Sequence, residues 1–138
     1  MSDISGFIDR TAQNMPRVSH AHWVLRLPLA LVLVQYGLDK FPLSADVAAG
    51  WGLPLFLWAL AGIGELVVAA MLIAGGLWRG PAAEVITRLA GAGAAVIVTG
   101  VLIVAYWAPP LDLILFNQFH ILLLAVGLYL ALTPRPLG

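Results

Sequence analysis

Apolar positions along the chain fall into one amphipathic stretch followed by four long runs. In residues 3–15, DISGFIDRTAQNM, the positions Ile4, Phe7, Ile8, Thr11, Ala12 and Met15 recur at helical spacing, with Asp3, Asp9, Arg10, Gln13 and Asn14 opposite. Ser2 or Asp3 suits the N-cap, and Pro16 stops the run. A short amphipathic helix beside apolar spans fits the plane of a membrane interface. The four runs cover about 19–38, 54–78, 82–107 and 113–132. The pattern therefore predicts an interfacial segment over 1–18 and a transmembrane domain over 19–138.

The first run carries interfacial residues, His20, His22 and Trp23, at its start, with Arg26 close enough to that surface to snorkel. Pro28 removes a backbone donor, which predicts a bend. At its exit Gln35 and Asp39, and likewise Tyr36 and Lys40, lie four apart and share faces. Residues 41–52 read as a loop with Pro42, Gly50 and Gly52 as breakers and Trp51 as an anchor. The second run, Pro54 to Trp78, has one charge in 25 residues, Glu65. Gly62, Glu65 and Ala69 share a face there, so a neighbouring backbone can approach the carboxylate. The third run contains AGAGAAVIVTG, small residues at helix spacing, with Arg88 one to two turns in. The tight loop before the fourth run holds Pro109-Pro110, and the run itself opens with Asn117, Gln118 and His120.

Charge sets a direction. Four crossings gather Arg10, Arg17, Arg26, Arg79, Arg88 and Arg135 on one side and leave Lys40 on the other. The positive-inside rule then predicts an all-α, integral membrane four-helix bundle with both termini cytoplasmic. Composition agrees with a membrane protein: of 138 residues, 62% are apolar and 10% charged, and the net charge is zero. No basic field argues for nucleic acid. The absence of cysteine excludes disulfides, thiolate metal sites and thiol chemistry within the chain.

Glu65 is the chemical centre of this reading. A carboxylate at the middle of a span costs roughly 2.5–3.5 kcal/mol on insertion scales, so it must be paired, shielded or protonated. Two polar layers are within its reach. Gln35, Tyr36, Asn117 and His120 form an outer one, with Gln118, Asp39 and Lys40 nearby, and Arg26 with Arg88 forms an inner one. A Glu65 near His120 suits proton exchange, and one held by arginine is a bundle clasp. One histidine and one glutamate are too few for a closed metal site, and haem would need a second buried histidine. No phosphate loop, nucleophile elbow or metalloprotease motif is present, so no self-sufficient catalytic set is predicted. No covalently bound cofactor is expected; quinone or lipid are the candidate ligands.

Arg26, the exit Gly37-Leu-Asp-Lys40, Glu65 before an apolar, glycine-ending half-helix, and Arg88 together resemble the DoxX-like family of small four-helix bacterial membrane proteins. The resemblance covers roughly residues 24–132. The amphipathic N-terminus, and Leu-Ala-Leu-Thr-Pro-Arg after Gly127, depart from that family's pattern. The resemblance implies a multi-pass protein of the bacterial inner membrane, linked to respiratory or sulfur redox chemistry and usually beside a partner. Three functions follow as expectations. The first is an accessory or scaffold subunit of a larger membrane complex, with another membrane subunit or a second copy as partner. The second is a quinone- or small-molecule-interacting redox protein using Glu65 and His120 for proton exchange. The third is a small proton-coupled transporter.

Overall fold

The second and third apolar runs form continuous helices of membrane-crossing length. In the computed structural model, which describes residues 2–16 and 19–134, these are α4 (Leu55–Leu77) and α5 (Pro81–Ala105). With 23 and 25 residues they are long and apolar enough to cross a membrane. The chain reverses between them at Gly80, whose φ of 95° suits glycine, and Pro81 then occupies the first helical turn, where its missing N–H costs nothing. Five further helices complete the described residues: α1 (Ser2–Asn14), α2 (Trp23–Asp39), α3 (Ala45–Gly50), α6 (Pro110–Phe116) and α7 (Gln118–Leu132).

The predicted four-helix transmembrane bundle is not what the chain forms. The structure carries two membrane-length helices, or three if the bent pair α6 and α7 counts as one span. Two local causes account for the difference. Residues 19–22 are turns, so α2 begins at Trp23; its 17 residues rise ~26 Å, short of a hydrocarbon core of about 30 Å. The predicted fourth run breaks at Asn117, which leaves helical geometry at φ −124° and ψ 34° and turns the chain by 90° between α6 and α7. Pro110 also starts α6 three residues before the predicted span, inside what the sequence reads as a loop. Without four crossings the charge count no longer fixes both termini as cytoplasmic. Arg17 and Arg135, which that count used, lie outside the described residues.

Helix α2 continues through Pro28. The predicted loop over 41–52 contains α3, capped at Ser44, whose hydroxyl accepts from the Val47 amide at 3.4 Å. The packing runs in a row: α2 against α4, α4 against α5, and α5 against α7, with a lighter contact between α2 and α7. Small residues set these contacts. A Cβ on Gly91 would meet the Gly127 carbonyl oxygen and the Ala131 nitrogen at 2.6 Å, so α5 and α7 cross backbone to backbone. The core joins Leu29 and Leu33 of α2, Val68 and Leu72 of α4, Ala90, Ala94 and Val98 of α5, and Leu123 and Leu130 of α7. Helix α1 buries none of its residues and leaves Ile4, Phe7 and Ile8 exposed, and Met15 just beyond its end is exposed too.

Candidate functional site

Close approach of α2 to α4 creates the site. A Cβ on Gly37 would come within 2.8 Å of Leu66 Cγ and 3.0 Å of the Gly62 carbonyl oxygen, so both glycines let the helices touch. The stem of Lys40, just past the end of α2, lies over Gly62, where a Cβ would sit 3.2 Å from its Cδ. That path delivers the ammonium to Glu65. Lys40 Nζ donates to Glu65 Oε2 at 2.8 Å, to Oε1 at 3.1 Å and to the Tyr36 carbonyl at 3.2 Å. These acceptors match the three donors of an ammonium. The Trp58 ring adds a cation–π contact, with Nζ 5.1 Å from its centroid. Glu65 is 1% exposed and the Lys40 side chain 13%. Burial of this kind is tolerated because each charge has a partner at hydrogen-bonding distance.

A second polar cluster lies one to two turns further along α4. Arg26 is fully buried and donates from Nη1 to the Leu72 carbonyl at 2.8 Å and from Nη2 to Thr87 Oγ1 at 2.7 Å. Its Nε donates to His22 Nδ1 at 2.7 Å, and the Trp23 ring lies 6.0 Å from its guanidinium carbon. A nitrogen that accepts carries no proton, so in neutral His22 the proton sits on Nε2. This arginine ties α2, α4 and α5 together rather than reaching for the surface, and Glu65 is not its partner.

Beside the ion pair opens a cavity of about 770 Å³ between α4, α5, the end of α2 and the start of α7. Its body is apolar, formed by residues such as Leu57, Leu60, Val96, Ile97, Val101 and Val104. Its polar end holds Tyr36, Lys40, Glu65, Tyr106 and His120, with Trp51 and Trp58 alongside. His120 stacks on Tyr36 with ring centroids 6.5 Å apart, lies 4.6 Å from Tyr106, and meets Phe119 edge-on at 5.5 Å. These ring contacts fix the imidazole while no protein group among the described residues hydrogen-bonds it. Among the described residues no group of three His, Cys, Asp or Glu side chains is arranged to hold a metal ion.

The cavity thus unites Glu65, Lys40, Tyr36 and His120 from the sequence-derived candidates. Others lie elsewhere. Gln35, Asp39 and Gln118 are exposed, and Asn117 marks the bend instead of sharing a helix face with His120. Arg88 is exposed, donates to the Ala131 carbonyl at 2.9 Å and sits 3.9 Å from Glu84, so it joins α5 to α7 and forms no layer with Arg26. Trp51 reads in the sequence as an interfacial anchor, yet it lines the cavity, as do Trp58 and Tyr106. Their spacing gives no hint of this, because they belong to three different segments. His22 and Thr87 also escape sequence reading as partners of Arg26, being 4 and 61 positions from it.

Fold and site together define an all-helical chain with two membrane-length helices and an apolar cavity that ends on a buried ion pair. No family model, curated protein or solved structure matches the chain.

Proposed function

We propose that the protein binds an amphipathic small molecule of the quinone class within a membrane. The cavity carries this reading: at about 770 Å³ it falls in the size range of ligand pockets, and it is apolar except at one end. A quinone ring offers a flat apolar surface and two carbonyl acceptors. The aromatic rings around His120 suit the first, and the imidazole N–H and the hydroxyls of Tyr36 and Tyr106 suit the second. Lys40 and Glu65 already satisfy one another, so they act as a fixed polar wall, and His120 is the group that donates a hydrogen bond to a ligand carbonyl. The bacterial cytoplasmic membrane is the setting we propose, in keeping with the DoxX-like resemblance. A second reading, an accessory subunit beside a membrane partner, is favoured by α1, whose apolar face is bare.

Trp51 and Trp58 line the cavity and supply the assay, since a quinone bound against them quenches their fluorescence. Purified protein in lipid nanodiscs is titrated with 2,3-dimethoxy-5-methyl-1,4-benzoquinone bearing a decyl chain. Saturable quenching that weakens in His120→Leu supports the reading. Linear, unsaturable quenching identical in the two proteins refutes it.

A further inference from the structure

The cavity does not close sideways. Helices α4 and α5 meet tightly at one end, where a Cβ on Gly75 would lie 2.5 Å from Thr87 Oγ1 and 3.3 Å from the Ala83 carbonyl oxygen. Further along, a Cβ on Gly93 would meet Val68 Cγ2 at 2.9 Å, and one on Gly64 would find Ile97 Cδ1 at 3.8 Å. At Gly100 a Cβ would meet nothing within 4 Å. The two helices therefore splay from a sealed end to an open one. On α5 the cavity wall is a single helical stripe from Gly93 through Ile97 and Gly100 to Val104, ~16 Å long at 1.5 Å per residue. The rim of the slot is exposed and apolar: Leu60 is 61% exposed, Val96 71% and Val104 46%. These helices are the two long and apolar enough to cross a membrane, so the open side of the slot faces acyl chains.

The geometry points to a lateral entry: the α4–α5 slot admits the ligand from the bilayer and then holds its hydrocarbon tail, while the polar end holds the ring. This rests on the quinone-class reading of the cavity and adds a requirement to it. A small polar solute gains nothing from an apolar slot open to lipid. A membrane-dissolved molecule with a flexible chain fills it along its length and keeps its polar head beside His120 and Tyr36. Glycine at position 100 leaves the passage open, and the apolar rim keeps the route continuous with the lipid phase.

The test compares two probes in nanodiscs by tryptophan quenching: the dimethoxy-methyl-benzoquinone with its decyl chain, and the same ring without a chain. Affinities are expressed per concentration in the bilayer, so that partitioning is removed. The slot predicts that the decyl form binds about tenfold more tightly, and that Gly100→Phe, which fills the passage, removes this advantage and slows the association of both probes. Gly100 has open space at its Cβ, so the variant should fold; Val96→Trp at the rim serves as a second block, and each variant must melt as the wild type does. Both rings binding equally well, with neither block changing either, overturns the slot and leaves the site standing. Brominated phospholipid that quenches Trp58 and is not displaced by the decyl form also overturns it, because an ordinary acyl chain then owns the slot. If neither ring binds the wild type, the quinone-class site itself fails and the slot fails with it.

Discussion

Breaking the Lys40–Glu65 pair should be the most costly isosteric change in the molecule. Glu65→Gln keeps the volume and removes the charge that faces Lys40 Nζ at 2.8 Å. Removing one partner of a buried pair costs 3–5 kcal/mol, because the other charge stays desolvated. Lys40 keeps the Tyr36 carbonyl at 3.2 Å, the Trp58 ring and 13% exposure, which argues for the lower end, about 3 kcal/mol. The reverse variant, Lys40→Met, strands a carboxylate that is 1% exposed and should cost at least as much. With roughly 3 °C lost per kcal/mol for a chain of this size, each single variant should melt ~10 °C lower. The double variant Lys40→Met/Glu65→Leu removes both charges and should recover most of the loss; a residual cost of about 1 kcal/mol, against about 3 for each single variant, makes the coupling about 5 kcal/mol. Thermal unfolding of the four proteins in one detergent measures this directly. Single variants within about 0.5 kcal/mol of wild type, with additive effects in the double, would refute a stabilising pair.

Other contacts give further expectations. Gly91→Val pushes a side chain into the α7 backbone, where the Cβ already meets atoms at 2.6 Å, and should prevent recovery of monodisperse protein on gel filtration, whereas Gly100→Ala should not. Thr87→Val removes the acceptor at 2.7 Å from Arg26 Nη2 and should lower stability by about 1–3 kcal/mol, with Thr87→Ser restoring it in the same melting assay. Gly76→Ala should destabilise far more than Gly62→Ala: the first Cβ meets the Trp23 ring at 2.5 Å, the second a lysine stem at 3.2 Å that can move. Phe7→Asp with Ile8→Asp should weaken membrane or partner association of α1 without changing the melting temperature, as no residue of α1 is buried. Co-sedimentation with liposomes reads that last effect.

The two unbroken apolar runs were legible because length and hydrophobicity alone decide them: 54–78 and 82–107 became α4 and α5 with ends shifted by at most two residues. The other two failed where a local backbone choice outranked the apolar count. The 19–38 run holds enough apolar residues, but its first four form turns, and nothing in Ser19-His-Ala-His22 announces this. At Asn117 a single polar residue between Phe116 and Gln118 is an ordinary helical position by propensity, yet it carries a right-angle bend. The site was half legible. Glu65 advertises itself as a charge in an apolar helix, and Lys40 shares a face with Tyr36 by spacing alone. That these two meet each other, and that arginine takes other partners, depends on how α2 sits on α4, which no one-dimensional pattern encodes.

That register has a signature, visible once the contacts are known. Trp23 and Arg26 lie level with Gly76, and Lys40 with Phe41 lies level with Gly62. Arg26 and Lys40 stand as far apart on α2 as Gly76 and Gly62 do on α4, so antiparallel helices match both pairs at once. Each glycine leaves room for the stem of the long cationic side chain opposite it. Each head group then turns inward along α4 by about one turn, Arg26 to the Leu72 carbonyl and Lys40 to Glu65. This is snorkelling in reverse: the cations reach away from the ends of α2, toward partners in the interior. A helix of 17 residues, too short to span on its own, is thereby held at both ends by charge-assisted hydrogen bonds. Fixing α2 at two points also fixes Tyr36, one turn before Lys40, against His120. The polar end of the cavity is thus rigid, and Arg26 clasps α4 to α5 at the sealed end of their seam, while the splayed end around Gly100 has no comparable clasp among the described residues. The proposed slot therefore predicts that any change of shape on ligand entry falls on that splayed end.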